Sequence, residues 1–344
     1  MERGTYTKNE ILTQPEAWAD ALDAVEKCKF DLKKVFEDDY EQVIFTGCGS
    51  TYYLSLAAAA QFQEMTGRLA RGVPASELLL NPGTVLGRGA KTLLVAVSRS
   101  GSTSETVRVV EKFKQQKRGP VLAITNYGDQ PLAGLADVAV VIEKGREESV
   151  AQTRSFASMY VAATALTALI AEREELRSEM RKLPAAGEKL ISKYEPLACE
   201  IGENLNLDRF YFLGSATRYG LACEVNLKMK EMTLTHSEPF HFLEFRHGPM
   251  SMASKSALVV GMLSDSNCSQ EQKVLSEMEA LGAATLRIGE AQTQVSFESG
   301  LSESIRNVLY LPVLQLCAYY RSMAKNLNPD RPSNLTAVVT LDLP

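Results

Sequence analysis

Phe45–Met65, FTGCGSTYYLSLAAAAQFQEM, and Phe212–Met232, FLGSATRYGLACEVNLKMKEM, overlay without a gap. Phe45/Phe212, Gly47/Gly214, Tyr52/Tyr219, Leu54/Leu221, Glu64/Glu231 and Met65/Met232 coincide. Each stretch reads as the end of a strand, a glycine turn and a helix. The pairing predicts a tandem duplication of one α/β unit, too long in period for a solenoid.

Outward from the first copy, strands are expected at Gln42–Thr46, Lys91–Val97, Val121–Thr125 and Val138–Glu143, with helices at Glu105–Lys114 and from Ser155 to about Glu172. Strands and helices alternating at this spacing indicate a parallel sheet covered on both faces. Outward from the second copy, strands are expected at Ala257–Met262, Ala284–Ile288 and Val308–Leu311, then a closing helix Pro312–Lys325. The charged stretch between the copies reads as helical, broken at Pro184–Gly187. The expected division is an N-terminal helical segment 1–35, a first α/β domain 36–172, a helical linker 173–205, a second domain 206–325 and a tail 326–344. Two copies imply a pseudo-two-fold arrangement, with a cleft between copies as the expected ligand position.

With 344 residues, 45% hydrophobic and 23% charged, the chain has the composition of an ordinary globular protein. A net charge of −5 argues against bulk nucleic-acid or anionic-membrane partners, but not against a phosphorylated ligand held by a local cradle. The six cysteines lack a C-x-x-C pair, which fits a reducing cytoplasm and neither a disulfide framework nor a zinc site. MERGTYTKNE has no apolar stretch of a signal peptide, and the longest apolar run, Met159–Ala171, is too short to span a bilayer.

Ser98-Arg99-Ser100-Gly101-Ser102-Thr103 follows a strand and precedes a helix. Its hydroxyls, its backbone N–H groups and the positive end of the helix dipole suit a phosphate monoester. It is not a Walker A loop, so ATP is not expected. Gly47-Cys48-Gly49-Ser50-Thr51 begins like a dinucleotide fingerprint, but Tyr52 stands where the third glycine belongs. It reads as a tight turn bringing backbone and the Thr51 hydroxyl to the same ligand; for Cys48 a buried apolar role outweighs a nucleophilic one. Glu224, Lys228 and Glu231, at i, i+4 and i+7, share one helical face and can form either a salt-bridge ladder or proton-transfer machinery. The histidines His236, His241 and His247 follow in a short span without the spacing of a metal site. No metal and no cofactor are expected.

Taken together, these motifs resemble the sugar isomerase (SIS) double-domain family, including the isomerase half of glucosamine-6-phosphate synthase and stand-alone SIS-type deaminases and amino-sugar phosphate isomerases. The likeness covers nearly the whole chain. It includes E-I-L-T-Q-P (Glu10–Pro15), G-C-G-S-T, S-R-S-G-S-T, V-A-Q-T-R (Val150–Arg154), L-K-M-K-E (Leu227–Glu231), R-H-G-P (Arg246–Pro249) and R-P-S-N-L (Arg331–Leu335). The resemblance implies two tandem doubly wound, flavodoxin-like SIS domains. It implies phosphate binding by Thr51, Ser98, Arg99, Ser100 and Thr103, and further substrate contacts at Gly49, Ser50, Val150 and Ala151. It makes Glu231 the acid that moves a proton between C1 and C2, with Lys228 near those carbons. It makes His247 a ring-opening histidine from a neighbouring subunit, hence a homodimer with shared sites. The expected enzyme converts glucosamine-6-phosphate to fructose-6-phosphate with ammonia release. Alternatives are aldose–ketose isomerisation of another hexose phosphate of the tagatose-6-phosphate type, fructosamine-phosphate deglycation, or a non-catalytic sugar-phosphate-binding regulator.

Three departures stand out. A glutaminase half and a Cys at position 2 are missing, so glutamine hydrolysis is not expected. The tail reads Asn334-Leu335-Thr336-Ala337 where the synthases carry a lysine, which speaks against Schiff-base chemistry from it. Arg99 replaces the family's usual glutamine, adding a positive charge to the phosphate loop.

Overall fold

The computed structural model describes residues 2–87, 89–339 and 341. The chain divides into two compact units. One comprises Thr13–Glu147, Gln152–Pro184 and Thr336–Pro344, and the other Met1–Leu12, Glu148–Ala151 and Ala185–Leu335.

The first unit contains strands β1 (Gln42–Gly47), β2 (Ala70–Pro74), β3 (Thr92–Ser98), β4 (Val121–Thr125) and β5 (Val138–Val141). They form one sheet in the order β2-β1-β3-β4-β5, every pairing parallel. The central strands β1, β3 and β4 are buried along their whole length, as expected when helices cover both faces. β2 and β5 are half-buried edges. The sequence reading missed β2: ARGVP carries an arginine and ends in proline, which only an edge strand tolerates.

In chain order the helices of eight or more residues are α1 (Thr5–Leu12), α2 (Gln14–Lys27), α3 (Lys29–Phe36), α4 (Ser50–Thr66), α5 (Ser104–Gln115), α6 (Arg154–Ile170), α7 (Leu183–Glu203), α8 (Thr217–Thr233), α9 (Cys268–Ala280) and α10 (Leu311–Ala324). In the first unit α6 packs against α2 and α4. Ser155–Leu169 is buried on every side, which explains why this helix is apolar all round. The expected break at Pro184–Gly187 is absent: α7 runs through it, because Pro184 sits in its opening turn, where a missing N–H costs no intrahelical bond.

The second unit contains β6 (Arg209–Leu213), β7 (His236–Phe240), β8 (Ala257–Met262), β9 (Ala284–Gly289) and β10 (Val295–Ser296). The order is β10-β9-β8-β6-β7, again all parallel, the same winding as in the first unit. The expected strand at Val308–Leu311 is not one. Asn307–Tyr310 is a 3-10 turn, buried throughout, that runs into α10. A short apolar run buried on all sides has no periodicity by which to tell strand from helix. The two-residue β10 takes its place at the sheet edge.

The duplication shows in atomic detail. α4 and α8 begin and end at equivalent overlay positions. Gly49 and Ala216, preceding these helices, share one backbone conformation, φ 56°, ψ −123° and φ 51°, ψ −129°. A Cβ on Gly47 would lie 2.8 Å from the Thr51 carbonyl carbon, and one on Gly214 would lie 2.7 Å from that of Arg218. In both copies a glycine is needed because the strand end abuts the first turn of its helix.

Candidate functional site

In the first sheet the chain leaves β1 toward β2 and leaves β3 toward β4, so the neighbouring strands β1 and β3 mark the switch point. Both hydroxyl-rich loops stand at the carboxyl ends of these two strands. Ser98 and Thr103 hydroxyls lie 3.2 Å apart, and the Gly101 N–H donates to Ser98 Oγ at 3.1 Å. Ser100 Oγ accepts from the Ser102 N–H at 3.3 Å and from the Ser102 hydroxyl at 3.2 Å. Gly101 has φ +65°, and an added Cβ would meet Gln130 at 2.9 Å, so the bend depends on glycine. Thr103 occupies the N-cap position of α5, yet its side chain makes no capping bond. Its hydroxyl is turned to Ser98 instead. A cluster that only capped the helix would put that hydroxyl on the first-turn N–H groups.

The Thr51 hydroxyl folds back onto the turn, accepting from the Cys48 N–H and donating to its carbonyl, both at 2.9 Å. Ser50 and Thr51 are buried and Gly49 is exposed. Burial pushes the Cys48 thiol up to about 11, its contact with Thr106 only partly opposing this. Such a thiol is no nucleophile near neutral pH.

Arg99 departs from the picture of an open cationic loop. Its side chain is 7% exposed, and Nη1 lies 3.6 Å from Glu147 Oε2, whose side chain is 0% exposed. Nη2 donates to the Ala337 carbonyl at 2.8 Å.

In the second unit α8 delivers what its spacing promised. Lys228 is 1% exposed, with Nζ 3.2 Å from Glu224 Oε1 and in contact with Glu231 Oε1. Glu224 is 0% exposed and Glu231 is 14% exposed, so of the two carboxylates only Glu231 reaches the surface. Burial pulls the Lys228 pKa down, but the two carboxylates more than offset it, and the ammonium is held above its usual range. The ladder is thus a buried charge cluster, unlike an exposed i,i+4 pair worth a few tenths of a kcal/mol.

The histidines separate. His247 is exposed in a tight turn closed by Gly248 at φ +122°, next to Arg246, which holds Glu277 by two bonds of 2.6 and 2.8 Å. His241 stacks on Tyr219, ring centroids 3.9 Å apart, and burial lowers its pKa. His236 faces Glu238 at 3.5 Å. Among the described residues no group of three His, Cys, Asp or Glu side chains is placed to hold a metal. No helix among them is long and apolar enough to cross a membrane.

Two buried carboxylates organise the second unit's short segments: Glu10, which opens the E-I-L-T-Q-P motif, and Asp330, which sequence reasoning passed over. Glu10 accepts from the N–H groups of Glu148 and Ser149, at 2.6 and 3.2 Å. Asp330 accepts from the Gly4 and Thr7 N–H groups and the Thr7 hydroxyl, at 3.0, 2.8 and 2.8 Å. The Asp330 carbonyl accepts from the Val150 N–H at 3.0 Å. Three motifs that the family likeness singled out, at Glu10, at Val150–Ala151 and beside Arg331, therefore meet in one knot. Partners so distant in sequence leave no periodicity to read.

Repeated five-stranded parallel sheets with one winding, a glycine turn and a hydroxyl-rich switch-point loop define a doubly wound, two-copy α/β protein. Residues 39–169 match the SIS domain. It is 29% identical over 339 residues to the glutamine–fructose-6-phosphate aminotransferase (isomerizing) of Sulfurisphaera tokodaii, covering 97% of this chain and 56% of that protein. The corresponding aminotransferase of Clostridium perfringens is 28% identical, over 99% of this chain and 60% of its own. The chain thus spans little more than half the length of these relatives. Among solved structures, glucosamine-6-phosphate deaminase from Thermotoga maritima superposes with a TM-score of 0.81 at 26% identity, over 98% of this chain and all of that one. Tagatose-6-phosphate ketose/aldose isomerase from Escherichia coli shares the fold, with a TM-score of 0.86 at 22% identity over 96% of each chain.

Proposed function

We propose that the protein is a phosphosugar isomerase acting on an amino-sugar phosphate, which turns glucosamine-6-phosphate and water into fructose-6-phosphate and ammonia. One observation carries this: Glu231, open to the surface, is held against a buried lysine that a second, fully buried carboxylate keeps protonated. Moving a proton between adjacent carbons needs one base above a planar enediol-type intermediate, and a cation beside the developing oxyanion. Glu231 serves as the base and Lys228 as the cation. Glu224 fixes the ammonium from behind.

The phosphate falls to the switch-point loop, where the hydroxyls of Ser98, Ser100 and Thr103 present donors to an anion beside the start of α5, which Thr103 leaves without a side-chain cap. Thr51, Gly49, Ser50, Val150 and Ala151 complete the substrate contacts. His247, free on its turn, opens the sugar ring from a second subunit of a homodimer. The deaminase likeness at matching chain length supports nitrogen release. The aminotransferase likeness supports a C1–C2 proton transfer on the same class of sugar.

Incubation of the pure protein with glucosamine-6-phosphate, with ammonia and fructose-6-phosphate both assayed, tests the reaction. Ketose without ammonia points to a simple isomerase, and tight binding without turnover to a sensor. Glu231→Gln should lower kcat by roughly 10²–10⁴ while phosphate binding survives, the scale for loss of a positioned base. Unchanged turnover removes Glu231 from the role.

A further inference from the structure

We propose that Arg99 positions the phosphate loop through Glu147 and is not itself a ligand of the phosphate. This rests on the phosphate reading above. Both partners of the ion pair are buried, and each is bonded on several sides. The Glu147 carboxylate accepts from the Thr153 N–H at 2.8 Å, the Thr153 hydroxyl at 3.0 Å and the Ser155 N–H at 3.0 Å, and also takes the Ser155 hydroxyl. It thereby satisfies the opening N–H groups of α6, where a negative charge is favoured by the helix dipole. Arg99 is pinned at its backbone too: its carbonyl accepts from the Asn126 N–H at 3.2 Å and the Thr125 hydroxyl at 3.3 Å. The Arg99–Glu147 pair joins the bend at the end of β3 to the start of α6.

A phosphate that took the Arg99 guanidinium would have to pull it from Glu147, leaving a fully buried carboxylate without its cation, a costly state. The hydroxyls of Ser98, Ser100 and Thr103 carry no such commitment to a charge. The ion pair therefore keeps these donors in place, so that the loop meets the anion without reorganising.

The test is a double-mutant cycle read by calorimetric titration with inorganic phosphate, alongside KM and kcat for glucosamine-6-phosphate. Arg99→Gln and Glu147→Gln should each weaken phosphate binding about tenfold, and the double variant no more than about twofold further, as for residues that act as one unit. KM should rise more than kcat falls. Arg99→Gln losing affinity while Glu147→Gln keeps or gains it would show a direct ligand and overturn the proposal. Wild-type affinity in both variants with a lowered Tm would reduce the pair to a structural brace and also overturn it. If Glu147→Gln does not fold, Arg99→Lys decides. A point charge suffices for a phosphate ligand, so retained affinity overturns the proposal. An ammonium cannot span both Glu147 and the Ala337 carbonyl, so a loss close to that of Arg99→Gln supports it. A wild-type protein that binds no phosphate sinks the phosphate reading itself, before any variant is compared.

Discussion

Replacing Lys228 with methionine should destabilise the protein by about 3–5 kcal/mol, the usual cost of removing one partner from a buried ion pair. Nζ stands 3.2 Å from Glu224 Oε1, and at an effective dielectric of about 20 that contact alone is worth about 5 kcal/mol before desolvation is counted. Methionine fills most of the volume, so the loss is electrostatic: two carboxylates on one helical face are left opposed. Urea unfolding followed by far-UV circular dichroism measures it. Tryptophan fluorescence is the wrong probe, since Trp18 lies in the other unit. The penalty must also depend on pH in a set direction. With the ammonium gone the two carboxylates repel each other, so the penalty should be smaller where a proton can be shared between them at low pH and grow as pH rises. In the wild type the raised pKa belongs to Lys228, whose contribution is complete below the usual 10.5 and is lost as pH rises through the higher folded value. A second change, Glu224→Gln in the Lys228→Met background, should recover much of the loss. A variant within about 1 kcal/mol of wild type at pH 7, with no slope between pH 5 and 8, would refute this account of the cluster.

Gly214→Ala should lower stability by a few kcal/mol, because its Cβ would sit 2.5 Å from the Arg218 carbonyl oxygen at the start of α8; a Tm equal to wild type would contradict this. At pH 8 the Cys48 thiolate fraction is on the order of 10⁻³, so iodoacetamide should label Cys48 far more slowly than a free thiol, as peptide mass spectrometry can time. Ser100→Ala should mainly raise KM, since it removes binding common to substrate and transition state; a drop confined to kcat would speak for a different role.

The fold was legible where burial is symmetrical and long. β1, β3, β4 and β8 are buried along their whole length and stand within a residue or two of where their apolar runs put them. Of the edges only β5 was legible, inside the expected Val138–Glu143; β2, β7 and β10 were not. β7 reads HSEPF, with charge and a proline that only an edge tolerates, and β10 is two residues long. Of the site, Glu224, Lys228 and Glu231 were visible because a helix converts spacing directly into a shared face. The Arg99–Glu147 pair was not, because it depends on the chain returning after two further strands. The burial of Arg99 changes what its charge can do, and no composition or motif carries that information.

The knot at Asp330 also constrains how the chain can be made. Thr7 and Asp330 are 323 positions apart, yet α1 takes its backbone anchor from that carboxylate. At about 5–20 residues per second, a ribosome emits Asp330 on the order of half a minute after the first helix has left the tunnel. Until then α1 is tied only through Glu10 and its packing on α10, and the loop at Val150 lacks one of its ties. The second unit therefore completes its closure late, and a chain truncated before Asp330 should leave the start of its first helix and that loop less firmly held.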